Sequence, residues 1–289
     1  MTARPPISAI VIFRNERRVL ERCLQAVRWC DEVIAIDMES SDGSADLARR
    51  YADRMFRVPA YPIAEPTRVA AAAQARHDWV LLVDPDEIIP AALSWQMMEA
   101  IAHQPHVGAV RLPMRFYFKR RMLTGTIWGK PMFKRMLIHR KRCRLLPHCN
   151  RISELLPGYD ELTIPHSPGN HVRHEWSDSY LDLLHRHFRR YAHLEAKALV
   201  AQGERFGFRR GVIHPLVELR RCLKDYDGWR MGLRGLALSA IYFGYTVASD
   251  WLTLYYQRRS ASQGDRALQN EPPTLVEQAV PQAWGGLAA

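Results

Sequence analysis

The first hundred residues alternate two hydrophobic patterns, and that alternation fixes most of what the chain can fold into. Ile7–Phe13 (ISAIVIF) is an unbroken apolar run of strand length, and Val19, Leu20, Cys23, Leu24 and Val27 then share one helical face. Glu32–Asp37 (EVIAID) is a second strand, ending in a carboxylate. After the turn Glu39-Ser40-Ser41-Asp42-Gly43, Ser44 is predicted to cap a helix running to about Arg54. Met55–Val58 reads as a short third strand and Thr67–His77 as an alanine-rich helix. Trp79–Val83 (WVLLV) is a buried strand that runs straight into Asp84-Pro85-Asp86-Glu87. Strands alternating with helices predict a parallel α/β sheet with right-handed crossovers. Ligands of such sheets bind outside the carboxyl ends of the strands, where both Asp37 and Asp84 fall.

The middle of the chain changes character. No acidic residue lies between Glu99 and Glu154, while 13 Lys and Arg occur from Arg111 to Arg151. Val107–Phe118 and Met132–Arg140 are expected to join the sheet as strands. Tyr180, Leu184, His187, Tyr191, Leu194 and Ala198 recur at three and four, which predicts an amphipathic helix. A second helical pattern covers about Val212–Asp225, and Gly228–Tyr256 is the most apolar stretch. Its charge-free run, Gly235–Ser249, is shorter than the ~20 residues of a membrane span. Two readings stay open: a helix in the bilayer interface, which Tyr242, Tyr245, Trp251, Arg258 and Arg259 would suit, or a helix packed on its own domain. Residues 260–289, rich in Gly, Pro, Gln and Ala, are expected to form a disordered tail.

Charge narrows the partners. Lys and Arg number 41 against 30 Asp and Glu, a formal charge of +11. The excess favours an anionic partner: nucleic acid, a phospholipid surface or a phosphorylated small molecule. Phe116, Tyr117, Phe118 and Trp128 interleave with the basic residues as stacking surfaces would, but no recognised nucleic-acid motif accompanies them, so no nucleic acid is expected. Five scattered cysteines and a start without signal-peptide pattern predict a reduced, cytoplasmic compartment. Cys143 and Cys149 with His139 and His148 fit no standard zinc spacing.

The sharpest chemical signal is the acidic tetrad. Asp84 and Asp86, one residue apart on the turn after a buried strand, can reach one hard divalent cation, Mg²⁺ or Mn²⁺. Such an ion completes its shell with phosphate oxygens and water, and neutralises a diphosphate leaving group. The alternative is that Asp86 or Glu87 caps the helix beginning near Pro90. His174 is either a third metal ligand or a structural histidine.

Several segments together resemble the inverting family 2 glycosyltransferases, which have the GT-A fold. They are the opening strand leading into Asn15-Glu16, Val33–Ser44 (VIAIDMESSDGS), Arg68 followed by Gln74-Ala75-Arg76, and Trp79–Glu87 (WVLLVDPDE). Arg151–Glu154 (RISE), His174 and Tyr191–Ala196 (YAHLEA) are similar to later elements of bacterial enzymes that add sugars to lipopolysaccharide core or lipid-linked envelope glycans. The resemblance implies an α/β fold: a GT-A-like, Rossmann-type sheet with a helical C-terminal extension. It implies a hexosyltransferase-type enzyme that takes a sugar from a nucleotide diphosphate, with inversion. Asp37 would contact the base or ribose of the donor, Arg68 the base or diphosphate, Asp84 the ribose or metal, and Asp86 the metal. A carboxylate must take the acceptor hydroxyl's proton. Glu154 is the first choice, and Asp160, Glu161, Glu175 and Asp178 are the other candidates. The organisation expected is a catalytic domain over 1–175 (nucleotide-sugar binding 7–104, acceptor part 105–175), a membrane-facing helical extension over 176–259, and the tail. The protein would then sit on the inner face of the cell membrane, its acceptor lipid-linked or lipopolysaccharide. A nucleotidyltransferase, or a non-catalytic basic protein on membrane or nucleic acid, is the rival. The glycine-rich phosphate loop of a nucleotidyltransferase is missing from Arg14-Asn15-Glu16-Arg17.

Overall fold

The computed structural model describes residues 4–61, 64–148, 151–260, 273–278 and 280. In chain order the elements are β1 (Ile7–Phe13), α1 (Arg17–Ala26), β2 (Glu32–Asp37), α2 (Ser44–Ala48), β3 (Arg54–Arg57), α3 (Glu65–Gln74), β4 (Trp79–Val83), β5 (Glu87–Ile88), α4 (Ala91–His103) and β6 (Val107–Phe118). Then come β7 (Arg121–Met122), β8 (Met132–His139), β9 (Cys143–His148), β10 (Arg151–Leu155), β11 (Asp160–Thr163) and β12 (Val172–Ser177). The helices α5 (Tyr180–Arg186), α6 (Ala192–Ala201), α7 (His214–Arg220) and α8 (Leu233–Ser260) follow, and then β13 (Val276–Gln278). The chain divides into two compact units. One comprises Met1–Met114, Met132–His174 and Gln269–Ala289, the other Arg115–Pro131 and Glu175–Leu268. Residues 115–131 thus group with the helices.

The first unit is built on the sheet. Its strand order runs β13-β3-β2-β1-β4-β8-β6-β12-β5. Strands β3, β2, β1 and β4 are parallel, with Val11 opposite both Ala35 and Val83, while β8 runs antiparallel to its two neighbours, β4 and β6. The order β3-β2-β1-β4 is that of a doubly wound nucleotide-binding sheet, and the chain switches sides between β1 and β4. Every residue of β1, β2 and β4 is buried. That explains their largely apolar sequences, since a parallel sheet is covered on both faces. Ile10, Ile12, Ile34, Ile36, Val80 and Leu82 pack in one cluster with Ala71 and Ala72 of α3, with Ala75 just after it and with Cys143 of β9. The small alanines let the helix lie close on the strands.

Two local expectations change. The helix predicted from Ser44 to about Arg54 stops at Ala48, because Arg54 already begins β3. Gly43, at φ +85°, takes the capping position, and Ser44 is the first helical residue. Its hydroxyl instead accepts the Glu16 N–H at 3.0 Å. In the expected tail, Val276–Gln278 pairs antiparallel with β3, and Arg54 holds Glu277 at 2.9 Å. Most of the remaining tail lies outside the described residues.

The second unit has an aromatic centre. Trp128 packs on Trp176 with centroids 4.5 Å apart, and on His187 and Tyr242. The β6–β7 hairpin turns at Lys119 and Arg120, φ +50° and +59°, the mirror-image turn that matches strand twist. From Tyr180 to Ala201 the chain is helical, but His187–Tyr191 is a π-helical turn between α5 and α6. The predicted stripe is displaced by it: Leu183, His187, Ala192 and Ala196 are buried, while Leu184 and Tyr191 are exposed. In α8 one face of the charge-free run is turned inward, while Leu236 and Ala240 are exposed. Leu238, Ser239, Ile241, Thr246 and Ser249 are buried, and the helix packs on α6 and α7. Among the described residues no helix is long and apolar enough to cross a membrane.

Candidate active site

The carboxyl ends of β1, β2 and β4 carry the candidate site. Two loops there are stitched together. Asn15, after β1, donates its N–H to Ser40 Oγ (3.0 Å), and its Oδ1 accepts the Ser41 N–H (2.7 Å). Arg17 N–H reaches Asp42 Oδ2 at 3.0 Å. Asn15 and Glu39 both hold left-handed backbone, φ +56° and +59°, an uncommon conformation for residues other than glycine. Asp37 ends β2 almost wholly buried, and one of its oxygens accepts the Ser40 N–H at 2.8 Å. The side chain therefore shapes the turn that follows it.

After β4 the acidic tetrad closes on itself and on two cations. Arg68, buried on the first turns of α3, donates to Asp84 Oδ1. Lys134 of β8 places Nζ 2.5 Å from Asp84 Oδ2 and 2.6 Å from Glu87 Oε1. The other Glu87 oxygen accepts the Asp84 N–H at 2.9 Å. Burial pushes the Asp84 carboxyl up, but Arg68 and Lys134 outweigh it and hold it well below the usual carboxylate range. Glu87 is raised, by burial first and then against Lys134 by Asp84. Burial opposes the Lys134 charge, and the two carboxylates more than restore it. Cys23 of α1 donates its thiol to the Asp84 carbonyl at 3.3 Å, and burial among these carboxylates keeps it protonated.

Asp86 turns the other way. Its Oδ2 lies 3.1 Å from Nε2 of His174, which β12 delivers opposite Glu87 of β5. Burial lowers the imidazole's proton affinity, but Asp86 outweighs it and the pKa is raised. Among the described residues no three His, Cys, Asp or Glu side chains are grouped to hold a metal ion. A hard carboxylate oxygen and an imidazole nitrogen do converge, however, and Mg²⁺ or Mn²⁺ often takes one or two protein ligands and fills its shell with phosphate and water. Asp86 and His174 fit that pattern with the imidazole deprotonated, its proton displaced by the ion, whereas both Asp84 oxygens face Arg68 and Lys134.

Arg68, Asp84, Asp86 and His174 thus come together. Sequence reasoning missed Lys134, whose only signal was membership of the acid-free basic segment. Along β8 neighbouring side chains alternate: Lys134 meets Asp84 and Glu87, while Arg135 meets Glu161 and donates to the Ser153 carbonyl at 2.6 Å. Glu154 stands on β10, in the two-stranded ribbon with β9 and opposite Arg144. Of the other base candidates, Asp160 begins β11 and Glu161 pairs with Arg135, while Glu175 and Asp178 belong to the second unit.

The family model described as glycosyl transferase family 2 matches residues 8–152. The chain is 24% identical over 280 residues to the lipopolysaccharide core biosynthesis glycosyltransferase LpsC of Rhizobium meliloti, covering 90% of this chain and 95% of that protein. Among solved structures, the mannosyltransferase PcManGT of Pyrobaculum calidifontis, in complex with GDP-Man and Mn²⁺, is 15% identical over 89% of each chain, with a TM-score of 0.49. TarS of S. aureus in complex with UDP is 19% identical over 39% of this chain and 36% of that one, with a TM-score of 0.33.

Proposed function

The chain belongs to glycosyl transferase family 2, and from that premise we propose that it moves a sugar, with inversion, from a nucleotide diphosphate to a lipid-linked or lipopolysaccharide-core acceptor. Family membership makes it a glycosyltransferase using a nucleotide-sugar donor, and the nucleotidyltransferase alternative is set aside. The observation that carries the finer reading is the convergence of Arg68, Asp84, Asp86 and His174 after β4, at the switch point of a doubly wound sheet. The similarity to LpsC along nearly its whole length supports the choice of acceptor.

In this reading Asp37 binds the nucleoside. Arg68, anchored on Asp84, presents positive charge toward the donor, and Lys134 keeps Asp84 and Glu87 in place. Asp86 and His174 would hold a Mg²⁺ or Mn²⁺ ion, which when bound offsets the diphosphate's charge. Glu154 takes the proton of the acceptor hydroxyl as its oxygen bonds to the anomeric carbon. The carbon–oxygen bond to the diphosphate breaks, and the leaving diphosphate carries away the electron pair. The enzyme would work at the inner face of the cell membrane.

A thermal-shift panel of sugar nucleotides, with and without Mn²⁺, tests the donor site. A donor at 100 times its Kd should stabilise the protein by about 2.7 kcal/mol. Asp86→Asn should remove the Mn²⁺-dependent part of that shift, and an unchanged shift would sink the metal assignment. Glu154→Gln should lower kcat with donor binding intact; normal turnover would move the base to another carboxylate.

A further inference from the structure

The helical stretch after Gly207 is inverted relative to an ordinary surface helix. It consists of a π-helical turn (Arg209–Ile213), α7, and a second π-helical turn (Arg221–Asp225). Its buried positions are Gly211, Pro215, Glu218 and Cys222. Polar groups fasten this inner face. Asp250 of α8, 1% exposed, accepts from Arg210 Nε at 3.0 Å and lies 2.7 Å from His214 Nδ1. The Tyr242 hydroxyl donates to Glu218 at 3.4 Å. The apolar side chains point outward instead: Phe208 is 74% exposed, Leu216 54%, and Val212, Ile213 and Val217 each more than 40%. Steps of four residues align them in one stripe. A contiguous apolar patch on a surface marks an interaction site.

Charge identifies what the stripe meets. From residue 205 to residue 221 the one acid is Glu218, which is buried and pairs with Arg221 at 2.6 Å, while Arg205, Arg209 and Arg220 are exposed at the ends of the stripe, Arg220 lying 3.8 Å from Asp225. Alongside it, Trp251 of α8 donates its indole N–H to the Gly211 carbonyl at 3.3 Å. Trp251, Leu254, Tyr255, Arg258 and Arg259 line a groove of about 370 Å³. An apolar stripe with arginines at its ends and a tryptophan and tyrosine beside it has the make-up of a helix lying in the plane of a bilayer. We propose that the outer face of residues 208–217 docks on an anionic lipid bilayer, the apolar stripe among the acyl chains and the arginines at the headgroups. The proposal rests on the reading of a lipid-linked acceptor, and names the surface by which the enzyme reaches it.

The test uses the full-length protein sedimented with vesicles of phosphatidylcholine, or of phosphatidylcholine mixed with phosphatidylglycerol. The protein should bind the mixed vesicles and be partly released by salt. Phe208→Gln with Leu216→Gln should weaken that partition by at least about tenfold. Arg209→Gln and Arg220→Gln should each weaken it about fivefold, on the mixed vesicles alone. The thermal shift with sugar nucleotide should be unchanged in all of them. A wild type that ignores the mixed vesicles, or a double variant that binds them equally well, overturns the proposal. So does a dimer that the double variant splits while vesicle binding stays the same, because the face then belongs to a second copy. Loss of the donor-dependent shift in the wild type would instead strike the functional reading and leave docking standing.

Discussion

Removing the ammonium of Lys134 would take from Glu87 its ion pair and leave Asp84 with Arg68. Lys134→Met should therefore destabilise the first unit by about 2–3 kcal/mol, toward the low side for a buried pair because Asp84 is a third exposed. Chemical denaturation measures this, and a loss under about 0.5 kcal/mol would mean the cluster is held without it. A second prediction concerns acid. Burial among the rings of Trp128, Trp176, Tyr191 and Tyr245 lowers the His187 pKa. The unfolded chain takes up that proton near pH 6.5, so below about that value it binds more protons than the folded one and stability falls with pH. His187→Gln should flatten the dependence of Tm on pH between about 7 and 5, whatever it does to Tm itself. At this scale the sequence was legible where a residue's place follows from its own strand. Asp37, Asp84 and Asp86 stand at strand ends that apolar runs announce. The partner of Asp84 comes from β8, 50 residues on, and no local spacing encodes such a meeting.

Strands were easier to read than helices, for a physical reason. β1, β2 and β4 match their expected limits because a run buried on both faces is largely apolar, and β6 matches too although Arg111 and Arg115 interrupt it. The helix from Tyr180 follows two different registers. Its π-helical turn adds a residue between His187 and Ala192, so the buried positions step by five there and by four on either side. Three-and-four spacing marks the helix and places His187 on the buried side, but it puts Leu184, Tyr191 and Ala198 there as well, and these are exposed. Within the second expected helix, Val212, Ile213, Leu216 and Val217 point to solvent, while Gly211, Pro215, Glu218 and Cys222 are buried. Helix α8 yields a third prediction. A Cβ on Gly235 would lie 1.9 Å from the Gly228 carbonyl oxygen, a backbone atom that cannot swing aside. Gly235→Ala should cost about 1–3 kcal/mol and lower Tm, although alanine is the better helix former. A raised Tm would show that the two segments separate freely.

For the molecule as a whole, β13 decides how the sheet ends. Without it β3 would present a row of unpaired N–H and C=O groups, a template for pairing with another chain. A chain ending at Ser260 should keep the parallel core and the donor-dependent thermal shift, yet self-associate with rising concentration in light scattering. A monodisperse truncated protein would show that β3 needs no cover. The same strand sets a timetable for biosynthesis. Glu277 follows its partner Arg54 by 223 residues. At about 5–20 residues per second on the ribosome, the edge of β3 stays open for on the order of 10–45 s after it is made. The nascent sheet is therefore most vulnerable to mispairing while the helical unit is being synthesised. Slower translation of that unit should raise aggregation, even though every residue of the finished protein is unchanged.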